Sequence, residues 1–291
     1  MSLYSYIYGV LIKVLGVIPY KLLYFIGRGL AYLFFIIPNK HKKISLANLN
    51  LVFPDTPPNK IRNLLIESLF HSTMNFLESG MVWGTKTYDK KEDFINVINF
   101  RSIEDSLNKA KGVLLCTPHL GNIEILINFL GKNTNCTIPY TKPKNTYLDS
   151  FITKSRSHSG VQMVDVDSPG IRQILTTLKK GNVVAFASDQ VPKKGSGILS
   201  KFFNRQIYSI KLLPKLQQKT NCAVHLMYCE RMKKGEGFRI HFSDSICLSK
   251  ETQEGVDKMN IEFEKCIMNI PEQYSWEYKK FKRAEEESIY Y

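Results

Sequence analysis

Apolar and polar positions give this chain two textures. Up to residue 38 it is almost continuously apolar, rich in Leu, Ile, Tyr and Phe, with Pro19 and Pro38 separating the blocks. Proline lacks a backbone donor and breaks a helix interior, so the pattern predicts helices divided at the prolines. The segment 42–53 leads to Pro54-Asp55-Thr56-Pro57-Pro58, a turn by composition. From 59 to about 83, Ile61, Leu64, Leu65, Leu69, Met74, Phe76 and Leu77 recur at helical spacing and predict a further helix. Beyond residue 95 short apolar runs at 113–116, 183–187 and 223–228 alternate with helical patterns at 103–110, 123–130 and 171–180. Gly181 supplies the last of these with a helix C-terminus. Such alternation predicts an α/β fold, a mixed central sheet flanked by helices, with the N-terminal helices packed on that body.

Charge changes the reading of the N-terminus. Lys13, Lys21 and Arg28 interrupt it, so no run approaches the roughly 20 uncharged residues of a simple spanning helix. A cleaved signal is not expected either, since the basic start and the small-residue cleavage site are missing and the apolar region continues too far. No acidic residue precedes Asp55, whereas Lys13, Lys21, Arg28, Lys40, Lys42 and Lys43 are basic. Apolar contact and attraction to anionic headgroups would therefore act together, and residues 1–40 are expected to form a membrane-associating helical region. The alternative is a pair of helices buried in a soluble protein.

The net charge of +14 favours anionic lipid, acidic proteins, phosphorylated substrates or nucleic acid, and does not choose among them. The six cysteines form neither a Cys-x-x-Cys pair nor a zinc-like spacing, which implies a reducing, cytoplasmic environment and small buried side chains. The histidines make no metal pattern, and neither a P-loop, a serine-hydrolase elbow nor a dinucleotide fingerprint occurs. No cofactor or metal is expected.

The chemistry centres on Thr117-Pro118-His119-Leu120-Gly121-Asn122-Ile123-Glu124. The strand-like 112–117 delivers His119 to a strand end, and Asn122 suits an N-cap for the following helix. On one continuous helix His119 and Glu124 would lie about 140° apart around the axis. Gly121 permits a turn between them, which would let the carboxylate swing back toward the imidazole. A neutral imidazole so held could take a hydroxyl proton with one nitrogen while the carboxylate stabilises the imidazolium through the other. The hydroxyl would then attack a thioester, with helix-start N–H groups or a nearby cation stabilising the oxyanion. The spacing alone is equally compatible with a purely structural pair.

His119 through Glu124 resembles the His-x4-Asp/Glu box of glycerolipid acyltransferases, in particular the late acyltransferases of lipid A biosynthesis, the lauroyl and myristoyl transferases. The similarity begins at Lys43-Ile44-Ser45-Leu46-Ala47-Asn48-Leu49-Asn50-Leu51-Val52-Phe53-Pro54 and continues through Tyr140-Thr141-Lys142-Pro143-Lys144-Asn145, Arg156 with Gly160, and 181–190. It closes with 264–268 and Pro271-Glu272-Gln273-Tyr274-Ser275-Trp276.

This resemblance implies an acyltransferase domain over 41–291, including a helical segment 41–90, with His119 and Glu124 as a catalytic dyad. It also implies that Arg156 contacts phosphate or developing negative charge; a surface salt bridge is the alternative role. Lys142 stands where an arginine is common, keeping the charge but losing bidentate geometry. Asn204 replaces the glycine usual after paired phenylalanines, and Tyr278 a frequent His. Asn122, Asp189 and Gln190 join Lys142 and Arg156 as expected substrate contacts, although Asp189 and Gln190 also read as ordinary loop residues. The basic run 279–283 reads as a solvated face or as a contact for acidic headgroups or an acidic carrier protein.

The resemblance further implies an acyl carrier protein thioester as donor, a lipid A precursor as acceptor, and a site at the cytoplasmic side of the bacterial inner membrane, among anionic lipids. Acylation of another membrane glycolipid or phospholipid is the second reading. A non-catalytic basic protein binding membrane or nucleic acid is the third, and the ordered motifs speak against it.

Overall fold

The computed structural model describes residues 3–85, 94–109, 112–142, 146–283 and 285–290. Ala110, Pro143-Lys144-Asn145 and residues 86–90 of the expected helical segment 41–90 lie outside the described residues. Four helices open the chain: α1 (Leu3–Val17), α2 (Tyr20–Ile36), α3 (Lys40–Val52) and α4 (Pro58–Ser79). The prolines fall at their junctions, and Asn39 caps α3 by accepting from the Lys42 N–H at 2.9 Å. The helix expected to reach about residue 83 keeps α-helical bonding only to Ser79, then widens into a π-helical turn, Gly80–Thr85.

The body follows as β1 (Ile95–Ile98), α5 (Arg101–Asn108), β2 (Val113–Thr117), α6 (Ile123–Asn133), β3 (Cys136–Tyr140), α7 (Thr146–His158), β4 (Gln162–Asp165), α8 (Ser168–Lys179) and β5 (Val183–Ala187). A hairpin, β6 (Gly197–Phe202) and β7 (Arg205–Ile210), precedes α9 (Leu212–Thr220), β8 (Ala223–Arg231), β9 (Phe238–Phe242) and α10 (Thr252–Asn269). Seven strands form one sheet in the order β1-β9-β8-β2-β5-β3-β4, parallel except where β8 meets β9. The expected mixed α/β sheet is therefore present. At its centre β2 is buried along its whole length, which explains why it reads as an unbroken apolar run. In the hairpin turn Phe203 and Asn204 both have positive φ, 47° and 57°, and Asn tolerates that region better than most residues.

The N-terminal helices are apolar on both sides. Tyr20, Leu23, Gly27 and Ala31 of α2 are buried, and Gly27 lets the helix approach Met74 and Phe70 of α4. On the other side Leu22, Phe25, Ile26, Leu33 and Ile36 are exposed, Phe25 and Ile36 at over 70%. Among the described residues no single helix is long and apolar enough to cross a membrane, and α1 meets α2 at a bend of 119°.

One buried polar network ties these helices to the sheet. Arg231 at the end of β8 donates to both carboxylate oxygens of Glu78 (2.6 and 2.5 Å), to Asn75 Oδ1 at 2.7 Å and to His71 Nδ1 at 2.7 Å. Burial, followed by the nearby guanidinium, pushes His71 well below its ordinary value, so it is neutral and can accept. Glu78 also accepts from the Tyr20 hydroxyl (2.7 Å) and the Asn122 amide (2.6 Å). The entry to α2 and the entry to α6 thus share one carboxylate.

Candidate active site

Parallel pairing of β2 with β5 sets Thr117 opposite Ala187. Two residues further on along each strand, His119 and Asp189 face each other, and His119 Nδ1 lies 2.5 Å from Asp189 Oδ1. Asp189 is buried; its other oxygen accepts from the Tyr274 hydroxyl at 2.9 Å, and its main-chain carbonyl accepts from Lys280 Nζ. An ionised carboxylate only accepts, so the shared proton belongs to Nδ1 of the ring. That leaves Nε2 as the acceptor, facing the amide nitrogen of exposed Gln190 at 3.2 Å.

The electrostatics agree. Burial works against charge on His119, but the charge and hydrogen bond of Asp189 outweigh it and raise the imidazole above its ordinary value. Burial likewise opposes ionisation of Asp189, yet His119 and Lys280 hold the carboxylate well below its usual range. Burial, then Asp189, pushes Tyr274 well up, keeping it a hydroxyl donor. Lys280 is pushed down to about 8 by burial, with Asp189 opposing.

Glu124 occupies the first turn of α6, capped by Asn122, whose Oδ1 accepts from the Ile125 N–H at 2.9 Å. The expected bond between Glu124 and the imidazole is not formed among the described residues. Instead Arg156 on α7 reaches Glu124 through Nη2 (2.5 Å to Oε1) and Nε (3.3 Å to Oε2), and Trp83 Nε1 donates to Oε2 at 2.9 Å. The intervening turn is fixed: Gly121 N–H donates to the Gln273 carbonyl at 3.0 Å and Asn122 N–H to the Cys229 carbonyl at 2.9 Å. Gly121 has φ 69°, and a Cβ there would collide with the Cys229 carbonyl. A turn so held presents the carboxylate to α7 and the imidazole to β5.

The other expected contacts divide. Arg156, mostly buried and over the Tyr140 ring at 5.3 Å, shares with His119 the wall of a cleft of about 240 Å³. Gln190 lines that cleft and two neighbours, one of about 600 Å³ that includes Lys142 and Lys193, and one of about 280 Å³ formed with Asp189, Ser275, Glu277 and Tyr278. Lys142 is exposed and pairs with Asp165 at 3.1 Å. Asn122 is not at the surface of any of these clefts: its amide is consumed by Glu78 and the helix cap, a positioning role rather than a substrate contact.

Three participants escaped the sequence reading. Lys280, placed in a solvated basic run, is buried against Asp189, whereas Arg283 of the same run is exposed. Tyr274 belongs to the 271–276 stretch, where resemblance flagged the segment without giving a role. Trp83 carried no signal beyond its helix. The C-terminal stretch also laces the catalytic turn, since Ser275 N–H donates to the His119 carbonyl at 3.0 Å. Asn48 of the N-terminal box donates to the Trp276 and Tyr278 carbonyls at 2.7 and 2.8 Å, joining the two most distant motifs.

An α/β protein with a strand-end imidazole, a buried acid behind it and a guanidinium in the same cleft has the equipment to activate a hydroxyl and stabilise an oxyanion. A profile of the family described as bacterial lipid A biosynthesis acyltransferase matches residues 2–283, and the chain belongs to that family. It is 26% identical over 278 residues to the lipid A biosynthesis lauroyltransferase of Escherichia coli (strain K12), covering 92% of this chain and 88% of that protein. Similarity to the palmitoleoyltransferase of the same organism is 24% over 267 residues, 91% and 86% of the two chains. A lipid A biosynthesis acyltransferase of Haemophilus influenzae is 26% identical over 281 residues, 93% and 87% respectively.

The pairing predicts a specific pH response. An imidazole acting as base must be neutral, so activity rises as pH climbs through its elevated value. Asp189→Asn removes the charge that raises it, leaving burial and Lys280 to lower it. The acidic limb of the kcat/KM profile should then move to lower pH while the plateau falls. A limb that keeps its position would show that His119 is not the titrating base or that Asp189 does not govern it.

Proposed function

We propose that this chain moves a fatty acyl group from an acyl carrier protein thioester to a hydroxyl of a lipid A precursor, a late, secondary acylation at the cytoplasmic face of the inner membrane. The observation that carries the reading is the aligned imidazole, in a member of this family: His119 lines two clefts, and Nε2 faces Gln190, which lines both of these and the larger third. The acceptor hydroxyl displaces Gln190 from Nε2 and gives it a proton as its oxygen attacks the thioester carbonyl. A C–O bond forms, and the carbonyl electron pair becomes an oxyanion beside Arg156. Collapse breaks the C–S bond, and the departing thiolate takes the proton back from the imidazolium. Asp189 stabilises that cation throughout. Glu124 acts through Arg156, fixing the orientation of the guanidinium at the wall of the cleft, where positive charge lowers the barrier most. Lys142 and Lys193, set against Asp165 and Asp167, give the larger cleft the polar lining to receive the acceptor head group.

The exposed apolar side of α1 and α2, with Lys13 and Lys21 also exposed, supports attachment of residues 1–40 to an anionic bilayer. Net positive charge suits both that surface and an acidic carrier.

With acyl carrier protein thioester and a lipid A precursor, His119→Ala should lose about 10²–10⁴-fold in kcat while keeping its fold. Unchanged turnover removes His119 from the mechanism, and efficient transfer to a phospholipid or other glycolipid in preference to the lipid A precursor replaces the acceptor. Separately, replacing Phe25 and Ile36 with Glu should release the protein from vesicles containing phosphatidylglycerol, as read by co-sedimentation. Undiminished binding would move the membrane contact elsewhere.

A further inference from the structure

We propose that the acyl chain of the donor lies in the cleft of about 240 Å³ between α6 and the sheet, and that Ala185 and Met227 set the chain length it accepts. The inference rests on the acyl transfer proposed above and assigns its specificity.

The cleft changes character with depth. Its mouth carries His119, Arg156, Gln190 and Thr141, whereas its inner wall is Leu126, Ile127, Ile138, Ala185 and Met227, each under 9% exposed and part of the apolar core between α6 and the sheet. A site with the reacting nitrogen at a polar mouth and apolar walls behind it fits an unbranched chain attached directly to the reacting carbonyl. The acyl donor has that shape. The neighbouring cleft, larger and lined by Lys142, Lys193, Asp165, Asp167 and Ser196, suits a bulky polar acceptor. The two clefts share Tyr140, Phe186 and Gln190, so their occupants meet beside His119.

Strand register shows where the space originates. On the sheet face turned to α6, β2 presents Leu115, β3 presents Ile138 and β8 presents Met227, all large. β5 presents Ala185, directly opposite Leu115. The small residue leaves the gap between its larger neighbours, and Met227 lies across it as an unbranched, adaptable wall. A longer side chain at 185 shortens the chamber, and a shorter one at 227 extends it.

The test uses the full-length enzyme, one lipid A precursor and a homologous series of acyl carrier protein thioesters of increasing chain length, with kcat/KM measured for each donor. Ala185→Leu should move the optimum to shorter donors, with about a tenfold loss for each methylene that no longer fits. Met227→Ala should move it to longer donors. The opposite directions keep the test decisive if one variant fails to fold, as monitored by thermal melting. Folded variants whose optimum stays put, or which change only the KM of the acceptor, overturn the assignment. Absence of turnover by the wild type with every donor would instead defeat the proposed function itself.

Discussion

Glu78 and Arg231 meet with neither side chain exposed to solvent, and the position of the turn from His119 to Glu124 depends on that pair. Taking both charges out of water costs several kcal/mol per ion, which a single contact does not return. Here the cost is met by saturation: Arg231 reaches Glu78 twice, Asn75 and His71, while Glu78 also accepts from Tyr20 and Asn122. The consequence is positional. Asn122 has its amide nitrogen on Glu78 and its oxygen on the Ile125 N–H, so the start of α6 cannot rotate without leaving a buried carboxylate underbonded. Gln273, which both donates to and accepts from the Arg231 main chain, brings the C-terminal segment to the same point.

From that anchored turn two acid–base pairs diverge. His119 goes to Asp189 and Glu124 to Arg156. The imidazole and guanidinium therefore each have their own carboxylate and remain on the wall of one cleft rather than competing for a single acid. In the proposed mechanism this division separates proton transfer from charge stabilisation. His119 in front of Asp189, and to a lesser degree Lys280 behind it, hold that acid ionised against burial.

Much of this architecture is readable in the chain because local rules decide it. The run 183–187 is β5 to the residue, since a strand buried in mid-sheet needs no polar alternation. Asn122 caps α6 and Gly181 follows α8 with φ 79°. The partner of His119 is a different matter. It lies 70 positions away, and only the adjacency of β2 and β5, a tertiary fact, brings Asp189 opposite it. Resemblance to the His-x4-Asp/Glu box pairs Glu124 with His119, yet the tethered Gly121 turn directs its carboxylate to Arg156 on α7. Lys280 was hidden by neighbours of the same charge, and its burial follows from packing of the C-terminal segment against the stretch after β5, where Lys280 meets Asp189 and Tyr278 meets Val191, rather than from any pattern of its own. Proximity along the chain is thus a poor guide to which acid bonds which ring.

The central claim is that Asp189 holds His119 as the Nδ1–H tautomer with Nε2 open to accept a proton. Nitrogen NMR of histidine-labelled protein, with His119 assigned by its loss in His119→Ala, reads both ring nitrogens directly. The account predicts a protonated, strongly hydrogen-bonded Nδ1 and an unprotonated Nε2 at pH above the titration of the ring, with the Nδ1 signal displaced in Asp189→Asn and not in Glu124→Gln. A proton on Nε2, or an Nδ1 signal that answers to Glu124 instead, would contradict it.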